Sequence, residues 1–466
     1  MTEPIPLSDA DLNILRRIER LPFGRFQWRM LAMGGLGYTF DAMDGAMIAS
    51  ILLAVTPLWK LSSGQTGLLG SSAMIGYLFG AFFAGAIGDL IGRRTVMMYG
   101  LAIYALATLV AAFSSSWQVL FWWRVVASVG TGVESAIIAP FLSEFVQRKY
   151  RGRWIGSLAG FFSFGFVSAA LLGYFIIPPY ADGWRIVQIV SALPIVMLLW
   201  WRRGLPESPR WLLERGRTAE AEATVAGIEN ELRRDHPTLP PLEGVEVPAT
   251  TRTGGTFAAN LAALVRPGAL RTTLMLWLLW IAITFSYYGF FTWIPSLLVK
   301  EGMTITKSFG YVIVINVAQI PGYYSAAFLS EKLDRKWTIV VYMMLGGVTA
   351  YVMSGAQSDT AIMIVGSVLS FFMNGTYAGI YAYTPELYPT AFRATGMGVA
   401  SAFGRIGGLS APIVVGYAYP RIGFGGVFAV ITVVLLVGAL GVAVLGIATA
   451  GKSLEQISRE LGRRAR

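Results

Sequence analysis

An all-α integral membrane fold, with twelve transmembrane helices in two six-helix halves, is predicted by three features of the sequence. Apolar runs are long enough to cross a bilayer, basic residues crowd into alternate loops, and loop signatures recur at a fixed spacing. The 466 residues are 55% hydrophobic and only 14% charged, with mean hydropathy +0.59. A soluble domain carries about a quarter charged residues. The apolar residues are blocked rather than alternating, in runs of about 20, the length a helix needs to cross a ~30 Å hydrocarbon core.

The runs read as spans at 29–56, 66–88, 95–114, 117–141, 154–177 and 184–201. After a polar interval come 271–298, 308–330, 337–356, 360–384, 394–419 and 424–448. The first 25 residues are polar and charged, so no cleavable leader is expected and the first run reads as a mature span. Of the 37 Lys and Arg residues, 30 fall in the termini and the loops of one side. Five (Lys60, Arg185, Lys300, Lys307, Arg421) fall on the other, and Arg124 and Arg405 lie inside spans. Basic loops stay cytoplasmic, so both termini are expected in the cytoplasm of a cell inner membrane. The net charge of +11 is mostly this topology signal, spread over many loops, and no nucleic-acid partner is expected.

The halves are repeats. GAIGDLIGRR (85–94) after span 2 matches AFLSEKLDRK (327–336) after span 8, with Asp89 opposite Glu331. EFVQRKYRGRWIG (144–156) after span 4 matches ELYPTAFRATGMG (386–398) after span 10, with Glu144 opposite Glu386 and Arg151 opposite Arg393. Both matches have the same offset of 242 residues (89 to 331, 144 to 386), which is hard to obtain by chance. The organisation expected is an N-terminal segment (1–28), a first bundle (29–201), a linker (202–270), a second bundle (271–448) and a tail (449–466). In the linker, residues 204–234 carry Pro and Ser start signals and then helix formers of mixed charge, and read as surface helices. Residues 237–255 are rich in Pro, Gly and Thr and read as connector.

Several chemistries have no residues to support them. There is no P-loop pattern, no cysteine and a single histidine, His236, in the linker. The spans hold no metal-ligand cluster and no nucleophile–histidine arrangement, so neither an enzyme nor a cofactor or metal site is expected.

The loop signatures closely resemble the major facilitator superfamily over essentially the whole chain. GAIGDLIGRR is similar to its signature loop, departing at Leu90, where a basic residue is usual. PESPRWLLERGR (206–217) and PELYPTAFRATGMG (385–398) resemble the branch of sugar porters, organic-ion transporters and synaptic-vesicle glycoproteins. The paired glutamines of sugar porters are missing from span 7, which has SYYGFFTWIP (286–295). FDAMDG (40–45) with FSYYG (285–289) most resembles the bacterial niacin transporters, and aromatic-acid/proton symporters are a second resemblance. The resemblance implies two bundles related by a pseudo-two-fold axis around a central cavity, working by alternating access. It also implies that Asp89 with Arg93, Glu144 with Arg151, Glu331 with Arg335 and Glu386 with Arg393 form inter-bundle ion pairs that close the inner side. Such gating residues would set the conformational equilibrium rather than touch substrate.

Charges inside the spans are few and costly, at least ~2.5–3.5 kcal/mol each at mid-helix, so each is expected to face a cavity or a partner. Asp41 and Asp44 lie three apart and share one face of span 1. They are the proton-carrier candidates, with Arg124 as a releasable partner of either and Glu134 as a further proton site. The plainer reading pairs them statically with Arg124. Candidates for holding substrate are Asp44, Tyr38, Trp280, Tyr287, Tyr288, Asn316, Gln319, Asn374, Tyr377 and Arg405. Trp280 and Tyr288 are two turns apart and suit a flat ring by stacking. Arg405 offers a fork to a carboxylate, although it can equally hold an acid or carbonyl of its own bundle. Trp293 fits an interfacial aromatic belt. The amides serve substrate or helix-to-helix hydrogen bonds about equally.

The function expected is a monomeric secondary transporter in the lipid bilayer. It would move a small aromatic monocarboxylate, nicotinate being the best single choice, with protons as the coupling ion. The competing readings are a transporter of organic cations, with Asp41 and Asp44 as counter-ions, of another aromatic acid or a sugar, and a non-transporting sensor.

Overall fold

The structure, a computed structural model, describes residues 8–147, 150–242, 257–388 and 393–449. No strand occurs among the described residues. Among the described residues, ten helices are long and apolar enough to cross a bilayer, and Gly160–Ile176 is a shorter apolar helix. The last of the ten, Thr395–Leu445, has 51 residues and is long enough for two crossings. The chain is therefore a multi-pass membrane protein, and its helices accommodate twelve spans.

The first half contains α1 (Asp9–Glu19) and then the spans α2 (Arg25–Leu58), α3 (Ser63–Ile91), α4 (Arg93–Ala111), α5 (Trp117–Ser143) and α6 (Arg151–Ile176). Its sixth span is split into α7 (Gly183–Ser191), a 3₁₀ turn (Leu193–Val196) and α8 (Met197–Gly204). Pro194 sits in that turn, where its missing N–H breaks the helical ladder. The linker forms α9 (Pro209–Glu214), α10 (Thr218–Leu232) and α11 (Phe257–Leu264). The second half contains α12 (Pro267–Lys300), then α13 (Ile305–Val317) and α14 (Gln319–Lys332) in place of one continuous span. It ends with α15 (Arg335–Ser354), α16 (Asp359–Glu386) and α17 (Arg393–Leu445). α17 turns at Gly423, whose φ of 63° no other common residue adopts readily.

The duplication is visible in the helix starts. α2, α3, α4, α5 and α6 begin at 25, 63, 93, 117 and 151, and α12, α13, α15, α16 and α17 begin 242 residues later, at 267, 305, 335, 359 and 393. The caps repeat too. Ser62 and Thr304 each accept from a backbone N–H three residues on, as do Ser116 and Ser358. Gly92 and Asp334, again 242 apart, both take positive φ, +98° and +97°. Asp334 holds that conformation with its own carboxylate, which accepts from Lys336 N at 2.8 Å and from Thr449 N at 2.6 Å.

The chain folds into two compact units. One comprises Met1–Gly45, Ile75–Ser168 and Arg185–Thr250. The other comprises Ala46–Met74, Ala169–Trp184 and Thr251–Arg466. In the first, small residues bring helices together. A Cβ on Gly80 would lie 2.1 Å from Val129 O, and one on Gly132 would lie 2.4 Å from Tyr77 O. α3 and α5 are thus in backbone contact, which membrane helices achieve with small residues. In the same unit α1 docks Ile14, Leu15 and Ile18 against Trp211, Leu212, Leu213, Ala221 and Val225 of the linker helices. Its Arg17 bonds Glu229 at 2.7 Å and also reaches Glu222, and Arg20 bonds Glu229 at 2.6 Å.

In the second unit, Ala46–Met74 packs on the second half. Ser71 Oγ donates to Leu409 O at 2.9 Å, and a Cβ on Gly67 would lie 2.3 Å from Pro412 O. Trp293 is only 1% exposed and donates its Nε1 to Pro412 O at 3.1 Å. The expectation of an interfacial belt for Trp293 is therefore corrected: it is an interior contact, because α17 and the end of α12 close over it.

Candidate functional site

Two clusters of buried polar groups stand out, one in each unit. In the first, α2 presents Asp41 and Asp44 toward α5. Arg124 is fully buried and binds Asp44 twice, Nη1 to Oδ1 at 2.7 Å and Nη2 to the backbone O at 3.0 Å. Asp44 is itself 1% exposed. Of the two partners open to Arg124, the structure chooses Asp44. Asp41, one turn earlier, accepts instead from Ser135 Oγ at 2.5 Å through Oδ2, and its Oδ1 has no hydrogen-bond partner. Tyr38 donates to Ser135 O at 3.2 Å and stacks on Phe162 at 4.4 Å between ring centroids. A single serine thus links Tyr38 and Asp41.

Glu134 lies on α5 beside Ser135, fully buried, and neither of its carboxyl oxygens has a hydrogen-bond partner. Its Oε1 would sit 2.6 Å from a Cβ on Gly37, so α2 leaves room for this carboxyl only because residue 37 has no side chain. Asp41, Asp44, Arg124 and Glu134 thereby form one acid-rich seam between α2 and α5, where an unpaired charge would be expensive.

The second cluster is aromatic and runs from α12 to α16. Trp280 meets Tyr381 edge-on at 5.3 Å, Tyr381 lies over Tyr377 at 6.3 Å, and Tyr377 meets Tyr287 edge-on at 5.3 Å. Tyr287 also contacts Tyr288 at 5.4 Å and Phe291 at 4.4 Å. Edge-to-face contacts of this kind add to area burial. Trp280 is pinned by its Nε1, which donates to Thr384 Oγ1 at 3.1 Å. Arg405, on α17, donates to Ser401 Oγ at 3.0 Å.

The amides are used inside the protein. Gln319 Nε2 donates to Asn316 Oδ1 at 2.7 Å, across the break between α13 and α14, and Gln319 Oε1 accepts from Tyr287 OH at 3.4 Å. Asn316 donates to Val312 O and Asn374 donates to Ser370 O, each on its own helix. Asn316 and Asn374 thus bond their own helices, while Gln319 bonds between helices and positions Tyr287.

The side chains of Asp89, Arg151, Glu331 and Arg393 lie outside the described residues. The other four gating candidates form two pairs of identical design. Arg93 bonds Glu144 at 2.8 Å and Arg335 bonds Glu386 at 3.0 Å, and the partners of the second pair follow those of the first by 242 residues. Each pair lies within one unit, which corrects the expectation of inter-bundle contacts for these residues. The physical reason is local: the start of α4 meets the end of α5, and the same neighbours meet in the repeat.

Sequence reasoning missed the groups that buttress these pairs. Glu207 Oε1 accepts from the backbone N–H groups of Arg93 and Arg94, each at 3.1 Å, capping α4 from the linker. Ser208 caps α9, accepting from Trp211 N at 3.1 Å, and donates to Glu144. The Ser-Pro start signal pointed to the cap of α9. Nothing near Glu207 in sequence pointed to α4, more than a hundred residues away. Ser135 and Tyr381 were likewise missed, since one more Ser or Tyr in a span carries no signal of its own.

A twice-built set of membrane helices with buried charges and a ring-lined second half defines a polytopic membrane transporter rather than an enzyme. The comparisons agree. The family model described as sugar (and other) transporter matches residues 32–461, and the chain belongs to that family, within the major facilitator superfamily. A niacin transporter of Acinetobacter baylyi is 39% identical over 96% of this chain and 100% of its own length. A putative niacin/nicotinamide transporter of Bacillus subtilis is 34% identical over 92% of this chain and 98% of its own. Among solved structures, an inward-open xylose transporter of E. coli is similar with a TM-score of 0.72 at 16% identity, covering 93% of this chain and 99% of that one. That likeness concerns the fold.

Proposed function

We propose that this transporter moves nicotinate, or a closely similar aromatic monocarboxylate, across the inner membrane by alternating access, coupled to a proton. Both termini then face the cytoplasm. The observation that carries the reading is the division of labour between the clusters. Asp44 is already neutralised by Arg124, so the acid pair does not offer two counter-ions to an organic cation. The rings of Trp280, Tyr287, Tyr377 and Tyr381 suit a flat heteroaromatic ring, and Arg405 on α17 of the same half offers a positive charge for a carboxylate. The niacin transporter that matches the chain over nearly its whole length supports the same substrate class.

In the coupling step, Glu134 and Asp41 are the groups that gain and lose the proton. Keeping a charge on a buried carboxyl is costly where its oxygens lack hydrogen-bond partners, as both do in Glu134 and Oδ1 does in Asp41. Release needs water or a cation to reach it, which rearrangement of α2 against α5 provides.

The test is uptake of labelled nicotinate into proteoliposomes with and without an imposed pH gradient, together with thermal stabilisation by nicotinate, sugars and organic amines. Nicotinate should stabilise the protein, and Tyr287→Leu should weaken its binding about tenfold, the loss of one stacking partner. Glu134→Gln should keep exchange but remove acceleration by the gradient. Stabilisation by a sugar alone refutes the substrate, and uptake indifferent to the gradient refutes the coupling.

A further inference from the structure

A cavity of about 300 Å³ lies where α2 leaves the linker helices, lined by Arg25, Arg29, Gly227, Asn230, Glu231 and Arg234. It is remote in function from both clusters above and takes no part in the proposed transport step. Its donors exceed its acceptors. Arg25 Nε bonds Asp235 at 2.8 Å and Arg29 Nη1 bonds Glu231 at 2.9 Å, which fixes both guanidinium groups. A guanidinium has five N–H donors, and a monodentate pair uses one of them. Arg29 Nε is buried with no hydrogen-bond partner. Arg234 brings a third guanidinium on an exposed side chain. Gly227 borders open space on this wall, since a Cβ there would meet nothing within 4 Å.

The cavity also sits at a recognisable depth. α2 starts at Arg25, and Trp28, between the two arginines of the first turn, is 61% exposed. An exposed indole at the start of a spanning helix marks the headgroup level of a bilayer. Arginines held there by carboxylates, with donors to spare, match a phosphate oxygen set rather than a single point charge.

We infer that this cavity binds the phosphate-bearing headgroup of an anionic phospholipid, holding α2 to the linker helices through the lipid. The inference rests on the proposed orientation, which puts this end against the anionic inner leaflet, and not on the substrate. Lipid retention is therefore a separate readout from transport. Arg29 and Arg234 make the principal contacts, Asn230 an accessory one, and Trp28 lies along the glycerol and acyl boundary.

The test uses the full chain, purified and analysed by native mass spectrometry after exchange into mixtures of phosphatidylglycerol and phosphatidylcholine. The wild type should retain phosphatidylglycerol selectively. Arg234→Gln, which disturbs no ion pair, should lower its retention about fivefold, the worth of one surface arginine to an anionic leaflet. Arg29→Lys keeps the charge but not the fork, and should fall between the two. Arg421→Gln, in a loop of the opposite side, should leave retention unchanged. A parallel arm replaces the lipid with inorganic phosphate. Equal protection against heating by phosphate alone would make this a soluble-anion site and overturn the lipid assignment. Equal retention of the two lipids, or an Arg234→Gln protein indistinguishable from wild type, would overturn it as well.

Discussion

Replacing Asp44 by Asn isolates the central electrostatic contact. The substitution keeps an oxygen near Arg124 Nη1 and leaves the backbone carbonyl that Nη2 uses, at 3.0 Å. What it removes is the charge. Arg124 is 0% exposed, so its guanidinium is shielded from bulk solvent. Removing one partner of a buried pair costs about 3–5 kcal/mol, most of it the desolvated charge left behind. The retained acceptors place Asp44→Asn at the low end, about 3 kcal/mol. Removing both charges relieves that burden, so Asp44→Asn/Arg124→Gln should regain most of the loss and stand within about 1–2 kcal/mol of the wild type. The assay is unfolding of the detergent-solubilised protein, with the two single variants and the double variant run as a cycle. Single variants within about 1 kcal/mol of wild type, or a double variant whose loss equals the sum of the two, would refute the reasoning.

Further outcomes follow from the packing and the linker. Gly132→Ala places a methyl against Tyr77 O and should cost about 1–3 kcal/mol. Gly45→Ala, whose methyl meets nothing within 4 Å, should be neutral or stabilise by up to about 1 kcal/mol; the comparison of unfolding midpoints checks both. Burial raises the Glu229 carboxyl, but hydrogen bonds from Arg17 and Arg20 outweigh it and hold the group below the ordinary carboxylate range. Its contribution is complete above the ordinary value of about 4.3 and is lost as pH falls through the lower folded value. Protection of the α1 amides, measured as exchange relative to the intrinsic rate at each pH, should therefore hold at neutral pH and fall only in acid, while Glu229→Gln should lower it at neutral pH. Glu386→Gln breaks a partly exposed pair and should cost about 1 kcal/mol. Glu144→Gln should cost more, about 2 kcal/mol, because Ser208 also donates to that carboxylate. The reverse order in unfolding experiments would contradict the assignment.

Much of this protein was determined by sequence alone. Apolar run length reports directly on the bilayer, because a helix must satisfy its own backbone within the hydrocarbon. Span existence and the duplication were therefore readable, down to the 242-residue offset that the helix starts and caps obey. Single-span polarity was readable for the same reason, since a charge in a span is rare enough to be noticed, as with Asp41, Asp44, Arg124 and Glu134. Partner choice was not. Arg124 could meet either aspartate, and only the seating of α5 against α2, where Gly34 and Gly37 face Ile138 and Glu134, decided for Asp44 and left Asp41 to Ser135. Trp293 turned inward, and Arg93 and Arg335 found acids in their own halves, because those partners come from helices distant in sequence. Periodicity tells which residues share a helix face. Which neighbour that face meets is a property of close packing between helices, where small residues tens of positions apart set the distance.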